Sequence, residues 1–356
     1  MSEPTISFPT PLERAQSSEP KVWLIPRRGQ RWPLYVLFFV LTMFSTMVVG
    51  ARMMFYFQRQ QSIFGLNDET LPFFPLDWIR HHPHNLLMGL PFSLTLMFIL
   101  FAHEMGHYLY CRHYRVYATP PFFVPFPSLI GTLGAFIRIK SPIPSRAALF
   151  DIGIAGPIAG FIPSCIALLY GLSISQPTVP FHAADTRAGF PLAFYLGAKL
   201  LHIGLPLAVL SLHPIAAAAW VGMFATSLNL LPGGQLDGGH IVFSILPRWH
   251  RWISRATILV MLPLGKYLWT GWFLWAVLLT LTLRHPRVPK YPDVSGWRRP
   301  IALCAALMLV LTFTPAPFTN SSGRDVWQEL GPGIVQEGRD TLHYLGNESR
   351  QLLHRK

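Results

Sequence analysis

Charge is what this sequence has least of. Of its 356 residues only 13% are Asp, Glu, Lys or Arg, against about 25% in soluble globular domains. Acids are scarcer than bases, 16 against 29. A chain so poor in charge cannot cover a soluble surface, and its long apolar runs point to a polytopic membrane protein. Cysteine is nearly missing too. Cys111, Cys165 and Cys304 lie within or beside apolar stretches, which excludes a disulfide framework and a Cys-based metal site. Residues 1–33 lack the charged-then-apolar order of a cleavable signal. Their Glu3, Glu13 and Glu19 disfavour a transit peptide. This segment is expected to be a cytosolic tail, and the membrane a bacterial inner (cell) membrane.

What is present agrees with that class. Hydrophobic residues make up 51% of the chain, with 26 Phe and 11 Trp, and the mean hydropathy is +0.36. The net charge of +13 and a pI near 10.1 would also suit a nucleic-acid binder. The bases, however, sit in short clusters that flank apolar runs: Arg27, Arg28 and Arg31; Arg248, Arg251 and Arg255; Arg284, Arg287 and Lys290; Arg298 and Arg299. Such clusters set membrane topology, so no nucleic-acid partner is expected.

Apolar runs cover roughly 33–51, 86–111, 149–174, 214–231, 256–283 and 300–315. The expected organisation is a tail over 1–32, a membrane domain over 33–317 with its core at about 85–245, and a polar tail over 318–356. Placing the basic clusters in the cytosol sends the first four runs alternately out and in. Residues 191–211, with Pro191, Lys199, His202 and Pro206, then form an interfacial or re-entrant piece. Residues 256–283 become a shallow hairpin turning near Lys266. Residues 118–147 differ from the rest: Gly131 and Gly134 precede the alternating Phe136-Ile137-Arg138-Ile139-Lys140. Period-two alternation bounded by Gly and Pro predicts a short β-hairpin, tolerated at membrane depth only where protein or water surrounds it.

His103-Glu104-Met105-Gly106-His107 carries the chemistry. On a helix, histidines at i and i+4 lie on one face and can reach one ion. Glu104 lies about 100° round the helix, placed to take a proton from water at the metal without being a ligand. Two histidines and a glutamate in an apolar span are costly unless satisfied, and a metal satisfies both imidazoles. A catalytic zinc takes a third protein ligand. Asp237 qualifies, flanked by Gly238 and Gly239 and at the same depth as His103 by topology. His240 is either a partner behind the ligands or an interfacial histidine. Asn229 in an apolar run needs a partner, helix–helix bonding by default. His81, His82 and His84 are expected to bind no metal, and Cys111 to be a small buried hydrophobe. Trp269, Trp272 and Trp275 suggest an interfacial belt.

Four segments together resemble the site-2 protease family of intramembrane zinc metalloproteases, in the group without a PDZ domain that has bacterial and chloroplast members. They are Phe101–His107, Gly131-Thr132-Leu133-Gly134-Ala135-Phe136, Ala155-Gly156-Pro157-Ile158-Ala159-Gly160 and Asn229–His240. They fall in the family's order across roughly 85–315. The resemblance implies an all-α polytopic membrane protein: a core of three transmembrane helices carrying the zinc site, flanking helices and a small membrane-associated β-hairpin. It implies Zn2+ held by His103, His107 and Asp237, Glu104 as the catalytic base, and a substrate-holding role for Asn229. Gly131, Gly134 and Phe136 would be structural or substrate-positioning, since a strand edge can pair with an unwound substrate. The partners implied are transmembrane protein substrates and the lipid bilayer. The rival readings are a metal-ion transporter and a non-catalytic binder of transmembrane helices. Substrate identity and oligomeric state are not legible.

Overall fold

The computed structural model describes residues 32–64, 71–178 and 188–318 apart from 284, 287 and 292, together with 322 and 324. Residues 1–31, almost all of the expected C-terminal tail and the basic residues Arg284 and Arg287 lie outside them. In chain order the helices are α1 (Trp32–Gln58), α2 (Leu76–His81), α3 (Leu90–His113), α4 (Arg146–Ser173), α5 (Leu192–Leu200), α6 (Pro214–Asn229), α7 (Asp237–Ile245), α8 (His250–Tyr267), α9 (Gly271–Leu281) and α10 (Arg298–Thr312). A 3-10 turn, Pro83–Gly89, leads into α3.

Three of the described helical stretches are long and apolar enough to cross a membrane: Trp32–Gln58, Pro83–His113 and Arg146–Ser173. The chain is therefore a multi-pass membrane protein. α4 starts at Ser145, whose hydroxyl accepts from the Ala148 amide and satisfies one of the orphan donors of the first turn. It runs on through Pro157 and Pro163, which neighbouring helices make tolerable at membrane depth. α4 packs against α3 on one side and α6 on the other. The main core lies around α6, where Ala216 to Ala219 and Trp220 are almost fully buried.

The expected hairpin forms from β1 (Phe122–Pro125) and β2 (Thr132–Phe136), antiparallel with Phe123 opposite Ala135. β2 ends where the alternating stretch begins. That stretch continues the pairing less regularly, through the Ala118–Ile139 bridge. The hairpin is anchored to α1, with the Ser45 hydroxyl donating to the Gly131 carbonyl at 2.6 Å. Gly131 and Gly134 have φ of +83° and +105°, in a region that L side chains adopt only with strain.

The re-entrant expectations correspond to short elements. Residues 191–211 hold the nine-residue α5 and a 3-10 turn, too short to span about 30 Å. Residues 256–283 fall in two helices, α8 and α9, packed on each other, with the turn at 268–270. The expected Trp belt there is corrected. Trp272 is fully buried and donates from its indole to the Pro315 carbonyl at 2.7 Å, while Trp269 packs edge-on against Phe224. Both rings pack in a cluster with Phe224 and Leu228 of α6 and Met261 of α8, so Trp272 lies inside the protein.

Candidate metal centre

α3 places His103, Glu104 and His107 in successive turns, all buried. Asp237 arrives from far along the chain as the first residue of α7. The Nε2 atoms of His103 and His107 are 3.2 Å apart. Asp237 Oδ2 lies 3.4 Å from the first and 3.3 Å from the second. Ligands at about 2.0–2.1 Å from a tetrahedral zinc are separated by roughly 3.3–3.4 Å. Two imidazole nitrogens and a carboxylate oxygen at that spacing fit zinc, and among the described residues this is the one cluster with metal-ligand geometry.

The surrounding residues fix the ligands. His107 Nδ1 lies 2.7 Å from the Ile152 carbonyl. The carbonyl can only accept, so Nδ1 carries the proton and Nε2 would have its lone pair to offer a metal. The next residue before Ile152 is Asp151, whose carboxylate receives the Arg298 guanidinium from α10 at 2.9 and 2.7 Å and the Tyr114 hydroxyl. Three elements are thus joined one residue away from the carbonyl that orients His107.

The glycines of α4 face the same centre. A Cβ on Gly156 would meet His107 Nε2 at 2.1 Å, one on Gly160 would meet His103 Cβ at 3.0 Å, and one on Gly153 would meet His240 Cβ at 3.2 Å. Their sequence spacing suggests close approach of another helix. What approaches is a set of imidazoles.

A cavity of about 320 Å³ adjoins the site. His103, Glu104, Thr132, Gly134, Phe136, Thr226 and Asn229 line it, with Trp275 from α9. Asn229 Nδ2 is 3.3 Å from His103 Nε2. The Ile137 backbone N–H, just beyond β2, is a hydrogen-bonding neighbour of Glu104. Gly131 is not among the lining residues. It lies against α1, where a Cβ would meet the Ser45 carbonyl oxygen at 2.7 Å. His240 Nδ1 pairs with His285 Nε2 at 2.8 Å, so it belongs to a histidine pair behind α7. Cys111 is fully buried, as expected of a small hydrophobe. Sequence reasoning missed His285, the Ile152 carbonyl, Trp275 and the Asp151–Arg298 pair. A charged residue six positions into an apolar helix was the one signal available, at Asp151.

The class these features define is a multi-pass membrane protein with a His-His-Asp metal centre and an adjoining glutamate between its helices. Residues 91–265, the region that carries the site, match the model of Peptidase family M50. Relatives include "Probable zinc metalloprotease EGY1, chloroplastic" of Oryza sativa subsp. japonica, 28% identical over 93% of this chain and 56% of its own length. The protein of the same name from Arabidopsis thaliana is 32% identical over 69% of this chain and 45% of its own. "Probable zinc metalloprotease EGY2, chloroplastic" of Arabidopsis thaliana is 34% identical over 58% and 38%. The chain thus spans about half the length of these relatives.

Proposed function

We propose that the protein is an intramembrane zinc endopeptidase that hydrolyses peptide bonds in transmembrane segments of membrane proteins. The observation that carries this is the triangle of buried His103 and His107 with half-buried Asp237, with its 3.2–3.4 Å edges, beside a cavity that Glu104 also lines. Zinc held there supplies a Lewis acid for the scissile carbonyl and lowers the pKa of water.

The residues do the rest. Glu104 takes the proton of the attacking water and delivers it to the leaving amine. Asn229 sits at the same edge of the cavity. The one free lone pair of His103 Nε2 is committed to the ion, so the Asn229 amide is left to donate to the substrate carbonyl. Gly134 and Phe136 on β2 border the space a substrate strand would enter, and strand addition is a general way to hold an extended peptide. Gly131 shapes the hairpin from its connecting turn.

The domain division follows the same reading, with 33–317 as the membrane unit, about 85–245 as its catalytic core, and 1–32 and 318–356 as tails. We propose the bacterial inner (cell) membrane for the chain, and place the N-terminus on its cytosolic side on the strength of the basic clusters beside the apolar runs. The named relatives are chloroplastic, so fractionation and reporter fusions at the N-terminus test both points.

The decisive experiment is Glu104→Gln in purified, membrane-reconstituted protein with a single-span reporter substrate. Zinc content should stay at the parental level while cleavage falls by at least 10²–10⁴-fold, roughly the usual worth of a general acid–base group. Parental cleavage by this variant would end the proposal, and zinc flux across proteoliposomes would favour a transporter.

A further inference from the structure

α8 is built the wrong way round for a soluble protein. The first half of its inward stripe, His250, Ser254 and Thr257, is polar, and buried Met261 and Gly265 follow only beyond it. Of the three polar residues, His250 and Ser254 are buried. Its outward face carries Arg251, Trp252, Arg255 and Leu259, all exposed.

The inward stripe has a single task. The His250 imidazole donates to the Gly234 carbonyl at 3.0 Å. The Gly234 amide donates to the Ser254 hydroxyl at 3.1 Å. The Thr257 hydroxyl is shared between the Pro232 carbonyl at 3.2 Å and the Ile253 carbonyl of its own helix at 3.0 Å. Residues one turn apart along one helix face thus hold the Pro232–Gly234 turn, three residues before Asp237.

Among the described residues the outward face has no acidic partner for its charge. No Asp or Glu occurs between Asp237 and Asp293, whereas Arg248, Arg251, Arg255 and Lys266 all do. Among the described residues the ion pairs of Asp151 and Asp293 go to Arg298 and Arg146. Arg255 lies over the Trp252 ring at 5.1 Å, and Trp249 and Trp252 are 61% and 62% exposed. One turn further on, exposed Leu259, Val260 and Leu262 begin. Cations and indoles followed by bare aliphatic side chains trace the boundary between headgroups and acyl chains.

We propose that Arg251, Arg255 and Trp252 bind the headgroups of anionic phospholipids, and that through His250, Ser254 and Thr257 this contact steadies the turn that delivers Asp237 to the metal. The second half rests on the zinc reading above; the first does not. Charge complementarity selects the occupant. A face whose described charges are all cationic, bordered by the exposed aliphatics Leu259, Val260 and Leu262, fits a phosphodiester layer better than an acidic protein.

The test uses the full-length protein in phosphatidylcholine bilayers containing brominated phosphatidylglycerol or brominated phosphatidylcholine. The Trp252 signal is isolated by subtracting the emission of Trp252→Phe. Two arginines near the surface should give the anionic lipid a preference of about fivefold or more in quenching, reduced by high salt. Arg251→Gln/Arg255→Gln should bring the ratio near one, and Arg251→Lys/Arg255→Lys should keep most of it. Zinc release to a chelator should be several-fold slower in phosphatidylglycerol than in phosphatidylcholine, and equal in the Gln double variant. Equal quenching by the two lipids in the parent overturns the headgroup site. A preference that survives in the Gln variant overturns it as well. Zinc release insensitive to lipid charge overturns the link to Asp237. Absence of stoichiometric zinc in every bilayer would instead refute the metal centre, and the quenching result would still decide the lipid site.

Discussion

Gly156 and His107 compete for one space: a Cβ at position 156 would stand 2.1 Å from His107 Nε2. The atom displaced is a metal-ligating nitrogen, held in place by the 2.7 Å bond from Nδ1 to the Ile152 carbonyl. Gly156→Ala should therefore lose most bound zinc, read by metal analysis of the purified protein, while helix content by circular dichroism stays near parental. Gly160→Ala meets His103 Cβ only at 3.0 Å, which a small shift relieves, and should keep more zinc. Equal retention in both variants would show that neither glycine clears room for a ligand.

Asn229 gives a different signature. It lines the cavity but is not a ligand, so Asn229→Ala should leave zinc content unchanged. Cleavage should drop by about 10²–10³-fold, the usual cost of one donor aimed at a developing oxyanion. If zinc is lost along with activity, Asn229 is holding His103 rather than substrate.

Gly134 separates conformation from packing. The nearest atom to a Cβ there is Phe136 Cζ at 3.9 Å, so there is room for the methyl group. Its φ of +105° makes the substitution cost about 1–2 kcal/mol in backbone strain. Gly134→Ala should distort β2 and lower cleavage with zinc intact. Measured against Gly156→Ala, it tells a hairpin defect from a metal defect.

The Asp151–Arg298 pair should show in stability. The Asp151 side chain is 15% exposed and receives the guanidinium through Nε and Nη2. Arg298→Ala leaves that carboxylate desolvated and without its cation, at a cost of about 3 kcal/mol. Unfolding in detergent by denaturant titration should report the loss. Adding Asp151→Asn to Arg298→Ala should recover part of it, because the unpaired charge is then gone.

The His103, His107 and Asp237 cluster was legible in the sequence because its chemistry is local or forced. His103 and His107 need one helix turn between them. Asp237 is a carboxylate beside an apolar run that needs a reason to be there. The membrane helices announced themselves by length and composition, and the hairpin by alternation between glycines and prolines. The short α5 and the α8–α9 pair followed from charge placement.

What only the tertiary structure decided is which side chains meet across helices. Residue spacing shows that Gly153, Gly156 and Gly160 share a face, but not that imidazoles fill the space in front of them. An indole in an apolar stretch has the same local sequence whether it faces lipid or protein, which is why Trp272 was misassigned. The carbonyl of Ile152 has no signature at all, because every residue has one. The His103–His107 pair at the heart of the site was thus written in one turn of helix, while the positions of Asp237, Ile152 and Gly156 around it came from the packing of α3 and of α7 against α4.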